Sequence, residues 1–354
     1  MEIFRLLSQN PLNPHLNLAI EEAILRGVLE KRSPYTFRLW QHTPVVTIGC
    51  FQDPREEVNM DLCDKFGVLV ARRMCGGGAM YLDQGSLIYS IFLDDNFLNV
   101  PNSLQESYRF FSEGVIEGLK DLGVEAHFRP VNDIVVNNKK ISGASSIHLY
   151  SAFVHHGAVN INPNLEILEK VLKASEIKLK EKGFSSIKES LTSLEIELGK
   201  KVRIDIVKAA LIRGFEKKLK VQFKRGKLTD WEANMAKMLY KNKYKTSEWI
   251  FGRTKPSLEL FSTYRAAKGV IKVSLSVKGI VISDIYISGD FLLQPNGSLR
   301  LLEESLRGCI ASEEYISETI SNFFKMKQIK ALGVTAEDFV KAIFQALQNF
   351  SGKV

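Results

Sequence analysis

The chain has 354 residues, 45% of them hydrophobic and 25% charged, more than one compact domain usually holds and enough to bury a sizeable core. That balance excludes a largely disordered chain, a collagen-like repeat and a solvated charged tail. Forty-eight Lys and Arg against 40 Asp and Glu give a net charge of +8, which suits nucleic acid, an anionic cofactor or an acidic protein partner and selects none of them.

In chain order, Ile20, Ile24, Leu25, Val28 and Leu29 recur at helical spacing and predict a first helix over 17–30 with Asn17 as its N-cap. Tyr35 to Trp40 and Val45 to Ile48, rich in β-branched and aromatic residues around Gln41-His42-Thr43-Pro44, predict a hairpin. Val68 to Val70 reads as a strand leading into Arg72, Arg73 and a glycine cluster, and Leu87 to Phe92 as the next strand. The period of Tyr108, Phe111, Val115, Leu119 and Leu122 predicts an amphipathic helix over 104–122. Strands at Asp133 to Val136 and His156 to Ile161 flank a segment rich in Lys, Ser and Gly, and the lysine-rich stretch from Lys170 to Lys188 reads as a solvated helix face and loop. A helix follows over 204–219.

The polar segment Lys224 to Lys245 reads as a linker or domain-edge helix, which sets the expected domains at 1–245 and 246–354. In the second, Ile271, Val273, Leu275 and Val277 alternate with polar residues, and Gly279 leads into Ile280 to Ile287, a hairpin; three helices follow, the last opening at Thr335 in a capping-box-like start. The expected fold class is α/β (α+β), a large body with a small C-terminal α+β domain. Cys50, Cys63, Cys75 and Cys309 form no CxxC and no zinc-type grouping, the start MEIFRLLSQN matches no secretory or transit pattern, and no apolar run nears the ~20 residues of a membrane helix. A cytoplasmic protein with no membrane segment is expected.

Two segments carry chemistry. In Arg72-Arg73-Met74-Cys75-Gly76-Gly77-Gly78-Ala79-Met80-Tyr81, three glycines let the backbone approach a ligand and line a phosphate or carboxylate with N–H groups, and the arginines add charge-assisted donors. A flexible turn with two solvated arginines is the competing reading, and the spacing matches neither a P-loop nor GxGxxG. In Asn132-Asp133-Ile134 followed by Lys139-Lys140-Ile141-Ser142-Gly143, an amide and a carboxylate at a strand mouth suit a magnesium or hydroxyl contact, and a lysine among small residues can reach an anionic centre. A hairpin turn at Asn137-Asn138 with an ordinary surface lysine competes at even weight. Adjacent strand residues point to opposite faces, so His155-His156 is poorly placed to bind one metal ion; core packing or substrate lining fits better.

In order, Asn17-Leu18-Ala19-Ile20-Glu21-Glu22, Leu39-Trp40-Gln41 with Val46-Thr47-Ile48-Gly49, Gln52-Asp53-Pro54, the arginine and glycine block, Asn132-Asp133-Ile134, Lys140-Ile141-Ser142-Gly143 and His155-His156-Gly157 resemble the blocks of lipoate-protein ligases. Trp249 to Thr254 is similar to the motif that opens their accessory domain, so the resemblance covers nearly the whole chain. It implies a mixed β-sheet body of the biotin/lipoate protein ligase type and an ATP-dependent reaction through lipoyl-adenylate, ending on a lysine of a lipoyl carrier domain or glycine-cleavage H-type protein. It further implies Lys140 as the catalytic residue. Arg73, Gly76, Gly77, Gly78, Ala79, Met80, Tyr81, Asn132 and Asp133 would bind ATP and adenylate, with Asp133 a magnesium ligand, and Tyr81 and His156 would line the lipoate site with Lys140.

The chain departs from that pattern at Leu82, where a histidine is usual, at Cys75 and Asp53, and in Lys182 to Ser193, which lacks two arginines. Two rivals inside the superfamily are a cysteine-dependent octanoyl or lipoyl transferase and a transferase that starts from lipoyl-adenylate or an acylated donor protein. The first needs a thiolate near Lys140, and no cysteine lies between Cys75 and Cys309. A basic nucleic-acid binder is disfavoured because the lysine-rich stretch has no interleaved aromatics over 177–182.

Overall fold

The computed structural model describes residues 2–97, 100, 101, 103–173, 179, 183–295 and 297–351. Of the lysine-rich stretch, 174–178 and 180–182 lie outside the described residues. The strands are β1 (Glu2–Ser8), β2 (Thr36–Trp40), β3 (Val45–Ile48), β4 (Leu69–Arg72), β5 (Met80–Leu82), β6 (Ser86–Asp94), β7 (His127–Arg129), β8 (Asp133–Val136), β9 (Lys139–Leu149), β10 (Ala152–Asn160), β11 (Val221–Arg225), β12 (Leu260–Ala266), β13 (Gly269–Lys278), β14 (Val281–Gly289), β15 (Leu292–Gln294) and β16 (Lys330–Leu332). The chain forms two compact units: residues 1–47, 57–72 and 80–250, and residues 48–56, 73–79 and 251–354.

The first unit is built on an eight-stranded sheet of order β11-β1-β2-β6-β10-β9-β8-β7, with a smaller sheet β4-β3-β5. β1 runs parallel to β2 and β11, and the described pairings from β2 through β7 are antiparallel, so the sheet is mixed, as expected. Strand alternation sends Phe37, Leu39, Tyr89, Ile91, Ile134 and Val159 to one face. There they meet Phe111, Val115 and Leu119 of the helix Leu104–Asp121, and Val207, Leu211 and Phe215 of the helix Ile204–Leu219. The other face carries the polar residues described below.

Two local expectations are corrected. The first helix spans Pro14–Leu29 and is capped by Asn13, whose side chain accepts from the His15 and Leu16 N–H groups. Asn17 lies inside it, buried, where its amide bonds the Gln41 carbonyl at 2.8 Å and accepts from Arg38 at 2.6 Å; Asn13 followed by Pro14, a residue favoured at the first helical position, is the signal that marks the true start. β2 and β3 are not a hairpin: β2 pairs with β1 and β6, and β3 with β5. The connection is drawn out beside Leu12, which bonds Gln41 and Thr43 through its backbone, so the chain runs on into the second sheet instead of turning back.

Of the two readings of residues 224–245, linker or domain-edge helix, the second holds. These residues contain the helix Asp230–Leu239, opened by a capping box between Thr229 and Glu232. Glu232 is fully buried because it pairs with Arg5 of β1 at 2.7 Å. Tyr244 is buried with its hydroxyl on Glu22 at 2.6 Å. The segment is polar and still packs because its polar groups are partners for other buried charges.

The second unit has the antiparallel sheet β12-β13-β14, the pair β15-β16 and the helices Ser298–Leu306, Glu313–Met326 and Ala336–Ser351. Ile271, Val273, Leu275, Ile285 and Ile287 form its core with Leu302, Ile316, Ile320, Phe339 and Ile343. Phe51, from the segment 48–56, stacks on Phe291 with ring centres 5.3 Å apart. The last helix is capped as expected, with Asp338 N–H on Thr335 Oγ1 at 3.2 Å and Thr335 N–H on Asp338 Oδ2 at 2.7 Å.

Candidate active site

Register across the large sheet aligns two rows on its polar face. Arg38, Ser90, His156 and Ser145 are cross-strand neighbours, and one step along each strand stand Trp40, Ile88, Ala158, Gly143 and Asp133. Small residues at 143, 145 and 158 leave this stretch of sheet low, so long side chains from its edge can lie over it.

Lys140 does so. β8 and β9 are joined by Asn137 and Asn138, both at positive φ (49° and 64°), so the turn reading was right about the backbone. A bulge in the ladder at Ile134/Val135 follows, and the Lys140 ammonium reaches Asp133 Oδ1 at 2.9 Å. A Cβ on Gly143 would stand 2.4 Å from Lys140 Cε and Nζ, so glycine is what gives the lysine its path. Asp133 is buried, and its other oxygen meets Arg129 at 3.2 Å. Asn132 holds the approach: its amide bonds the Ala144 carbonyl at 2.7 Å, and its own carbonyl accepts from Ala144 N–H at 3.0 Å. The Lys140 carbonyl accepts from Thr192 N–H at 2.9 Å, which lays the segment 188–192 along the lysine. The hairpin turn is thus present, and the lysine side chain lies over Gly143 with its ammonium on Asp133.

His156 belongs to a second cluster on the same face. Its Nδ1 lies 2.9 Å from Glu21 Oε1, which accepts from Ser90 Oγ at 2.7 Å; Ser90 Oγ in turn accepts from Trp40 Nε1 at 3.0 Å. Burial raises the Glu21 carboxyl, but His156, Ser90 and Arg38 outweigh it and hold it below the ordinary range. Arg38 is fully buried, bonded to Asn17 and to Gln9 Oε1 at 2.6 Å, and burial lowers it to about 9. His42 beside Trp40 is held well below the usual imidazole range by burial and then by Arg38. His155 points the other way, stacked on Phe111 at 4.5 Å in the core, and burial lowers it to about 3.

The glycine block divides between the units. Met80 and Tyr81 pair with Thr47 and Val46 in the first unit, and the buried Tyr81 hydroxyl bonds Asp83 at 3.2 Å. Arg73, Gly76, Gly77, Gly78 and Ala79 belong to the second unit. There Arg73 donates to the carbonyls of Gly76 at 3.1 Å and Gly78 at 3.0 Å, shaping the loop. Gly77 takes φ 94°, and its N–H bonds the Phe291 carbonyl at 3.1 Å. Arg72 is structural: its guanidinium binds the carbonyls of Trp249 and Ile250, and Trp249 Nε1 returns a bond to its carbonyl at 2.9 Å.

Sequence reasoning quoted Glu21, Trp40 and Gly143 within its blocks without giving them a role, and missed Arg38, Ser90 and Arg129. Two charged residues at buried positions of an otherwise apolar helix and strand were the signal available for Glu21 and Arg38. Leu82 and Cys75, the departures beside the loop, are buried packing residues, and Asp53 accepts from Lys255 N–H at 2.5 Å. Lys182 lies outside the described residues, and Ser190 closes a short turn on the Ile187 carbonyl at 2.7 Å. Among the described residues no group of three or more His, Cys, Asp or Glu could hold a metal ion, and no helix is long and apolar enough to cross a membrane.

The family described as the lipoyl protein ligase A/B catalytic domain matches residues 13–216, and the bacterial lipoate protein ligase C-terminus matches 255–343. Lipoate--protein ligase 1 of Staphylococcus aureus is 30% identical over 316 residues, 89% of this chain and 93% of its own. Octanoyltransferase LipM of Anoxybacillus flavithermus is 29% identical over 276 residues, 71% of this chain and 99% of its own. A solved bi-partite lipoate protein ligase of Thermoplasma acidophilum, described with its E2 lipoyl domain, is 32% identical at TM-score 0.63 and covers 73% of this chain and all of its own. A lipoate-protein ligase A bound with ATP is 32% identical at TM-score 0.62, covering 71% of this chain and 99% of its own. The chain therefore belongs to the lipoate-protein ligase family, as an enzyme with that family's catalytic and C-terminal domains whose chemistry is lipoyl or octanoyl transfer.

Proposed function

We propose that this chain is an ATP-dependent lipoate ligase. The lipoate carboxylate attacks the α-phosphate of ATP and pyrophosphate leaves; the ε-amine of a lysine on a lipoyl carrier domain or H-type protein then attacks the acyl carbon, and AMP leaves. The observation that carries this reading is Lys140, laid over Gly143 onto Asp133 at 2.9 Å. An ammonium held there can meet negative charge as it builds on the carboxylate and the α-phosphate. Residues 1–245 form the catalytic part and 246–354 the accessory part in this proposal.

Arg73 and the backbone of Gly76, Gly77, Gly78, Ala79 and Met80 hold the nucleotide, and Asn132 steadies the strand mouth beside Asp133. Tyr81 and His156 line the lipoate site. Asp133 would hold magnesium, with phosphate oxygens as the remaining ligands, once Lys140 and Arg129, which now meet its two oxygens at 2.9 and 3.2 Å, turn to the phosphates. Magnesium, when bound, neutralises charge on the departing pyrophosphate. The relative solved with ATP, and the one described with an E2 lipoyl domain, support the nucleotide and the carrier.

The second reading, acyl transfer without ATP, is favoured by the octanoyltransferase relatives. Against its cysteine form, residues 76–308 contain no cysteine. Burial pushes the Cys63 thiol up to about 11, away from the reactive thiolate. The LipM relative also matches 71% of this chain where the Staphylococcus ligase matches 89%.

Lipoate-dependent pyrophosphate release from ATP and magnesium, with no carrier present, tests the choice. Wild type should release pyrophosphate, and Lys140→Ala should lose on the order of 10²–10³ of the rate. Absence of release together with acyl transfer from an acylated donor protein would establish the second reading instead.

A further inference from the structure

The cluster around Glu21 has only one hydrogen-bond direction. An indole N–H can only donate and a carboxylate can only accept. Trp40 Nε1–H therefore donates to Ser90 Oγ at 3.0 Å, and the Ser90 hydroxyl must spend its proton on Glu21 Oε1 at 2.7 Å. The same oxygen lies 2.9 Å from His156 Nδ1, so that nitrogen must carry a proton. The imidazole is consequently held with Nδ1 donating, and it meets any ligand through Nε2.

The holder is rigid. Glu21 is 1% exposed, on a helix whose Asn17, one turn earlier, grips the fully buried Arg38 at 2.6 Å. Arg38 is the cross-strand neighbour of Ser90, and Ser90 that of His156, so the charge and its partners share one row of the sheet. The next row carries Gly143 and Asp133, over which Lys140 lies.

We propose that Glu21 is a positioning residue that acts through His156: it fixes the Nδ1–H form and ring orientation so that Nε2 faces the acyl substrate beside Lys140. The substrate half of this inference rests on the lipoate-activation reading above; the tautomer half does not.

Two readouts test it. In ¹⁵N-histidine-labelled, ligand-free protein, at a pH where the ring is neutral, His156 should carry its proton on Nδ1 in wild type and in Glu21→Gln, which keeps an acceptor oxygen. It should move to the Nε2–H form in Glu21→Met, which keeps the volume and removes the acceptor. In lipoate-dependent pyrophosphate release, Glu21→Met should lower kcat/KM for lipoate by about 10–100-fold while KM for ATP stays within about 2-fold, and Glu21→Gln should recover most of the loss. In a His156→Gln background, Glu21→Met should add less than about 2-fold.

A merely structural glutamate would give the same loss in both backgrounds, and that result overturns the proposal. So does a wild-type or Glu21→Met tautomer other than expected. A wild type with no lipoate-dependent release overturns the substrate half together with the ligase reading, and the NMR result separates that failure from a wrong assignment of Glu21.

Discussion

Gly143 and Lys140 work as a pair at the level of single residues. The lysine's reach depends on an absent methyl group, since a Cβ at 143 would sit 2.4 Å from its Cε and Nζ. Gly143→Ala should therefore cut pyrophosphate release nearly as far as Lys140→Ala, while urea unfolding shifts by no more than about 1 kcal/mol, because the added methyl meets chiefly the displaceable end of the lysine side chain. Full activity in Gly143→Ala would mean that Lys140 works from another position. Asn132, expected as a phosphate neighbour, also has a structural duty in the bond to Ala144 at 2.7 Å. Its motif was legible in the sequence, but the bond was not, because Ala144 presents only its backbone carbonyl.

Among the elements, the helix Pro14–Leu29 is the one on which the polar face depends. Asn17 and Glu21, one turn apart, serve Arg38 and His156, while Glu22 takes Tyr244 at 2.6 Å and Lys243 at 2.6 Å. The helix Asp230–Leu239 is fastened in the same manner by Glu232 on Arg5. Glu232→Ala leaves Arg5 buried without its charge partner and should cost about 3–5 kcal/mol in urea unfolding. Thr229→Ala removes the cap of that helix alone and should cost about 1 kcal/mol. Equal losses from the two changes would show that the ion pair contributes little beyond the cap. Periodicity located the helices Leu104–Asp121 and Ile204–Leu219 well, because their apolar stripes face one core. For 224–245 composition left a linker and a domain-edge helix both open, because burial there is achieved through charge pairing as well as apolar contact.

For the whole molecule, buried titratable groups set a pH dependence. His155 is lowered to about 3 by burial and His42 well below its usual 6.5. An unfolded chain binds protons at these sites as pH drops through 6.5 and the folded chain does not, so stability is full above that pH and declines below it. Glu21, Glu22 and Glu232, each held below the usual 4.5 by its partners in spite of burial, add a loss in the same direction at lower pH. Urea midpoints should therefore fall between pH 7.5 and pH 5, before the carboxylates titrate, and fall further below about pH 4.5. A flat profile from pH 7.5 to 5 would contradict neutral, buried histidines.

By itself the sequence determined the family and the mixed body with its small C-terminal α+β part, because the motifs that carry them lie in short contiguous blocks. Only the tertiary structure decided that Glu21, Ser90, Trp40 and His156 form one directed chain of hydrogen bonds, since its members lie 135 residues apart and meet through strand register. It likewise decided that Arg73 and the three glycines belong to the second compact unit, with Gly77 bonded to Phe291. A pattern read along the chain reports periodicity and turns; which buried charge finds which partner depends on contacts between distant segments, and those exist only once the sheet has formed.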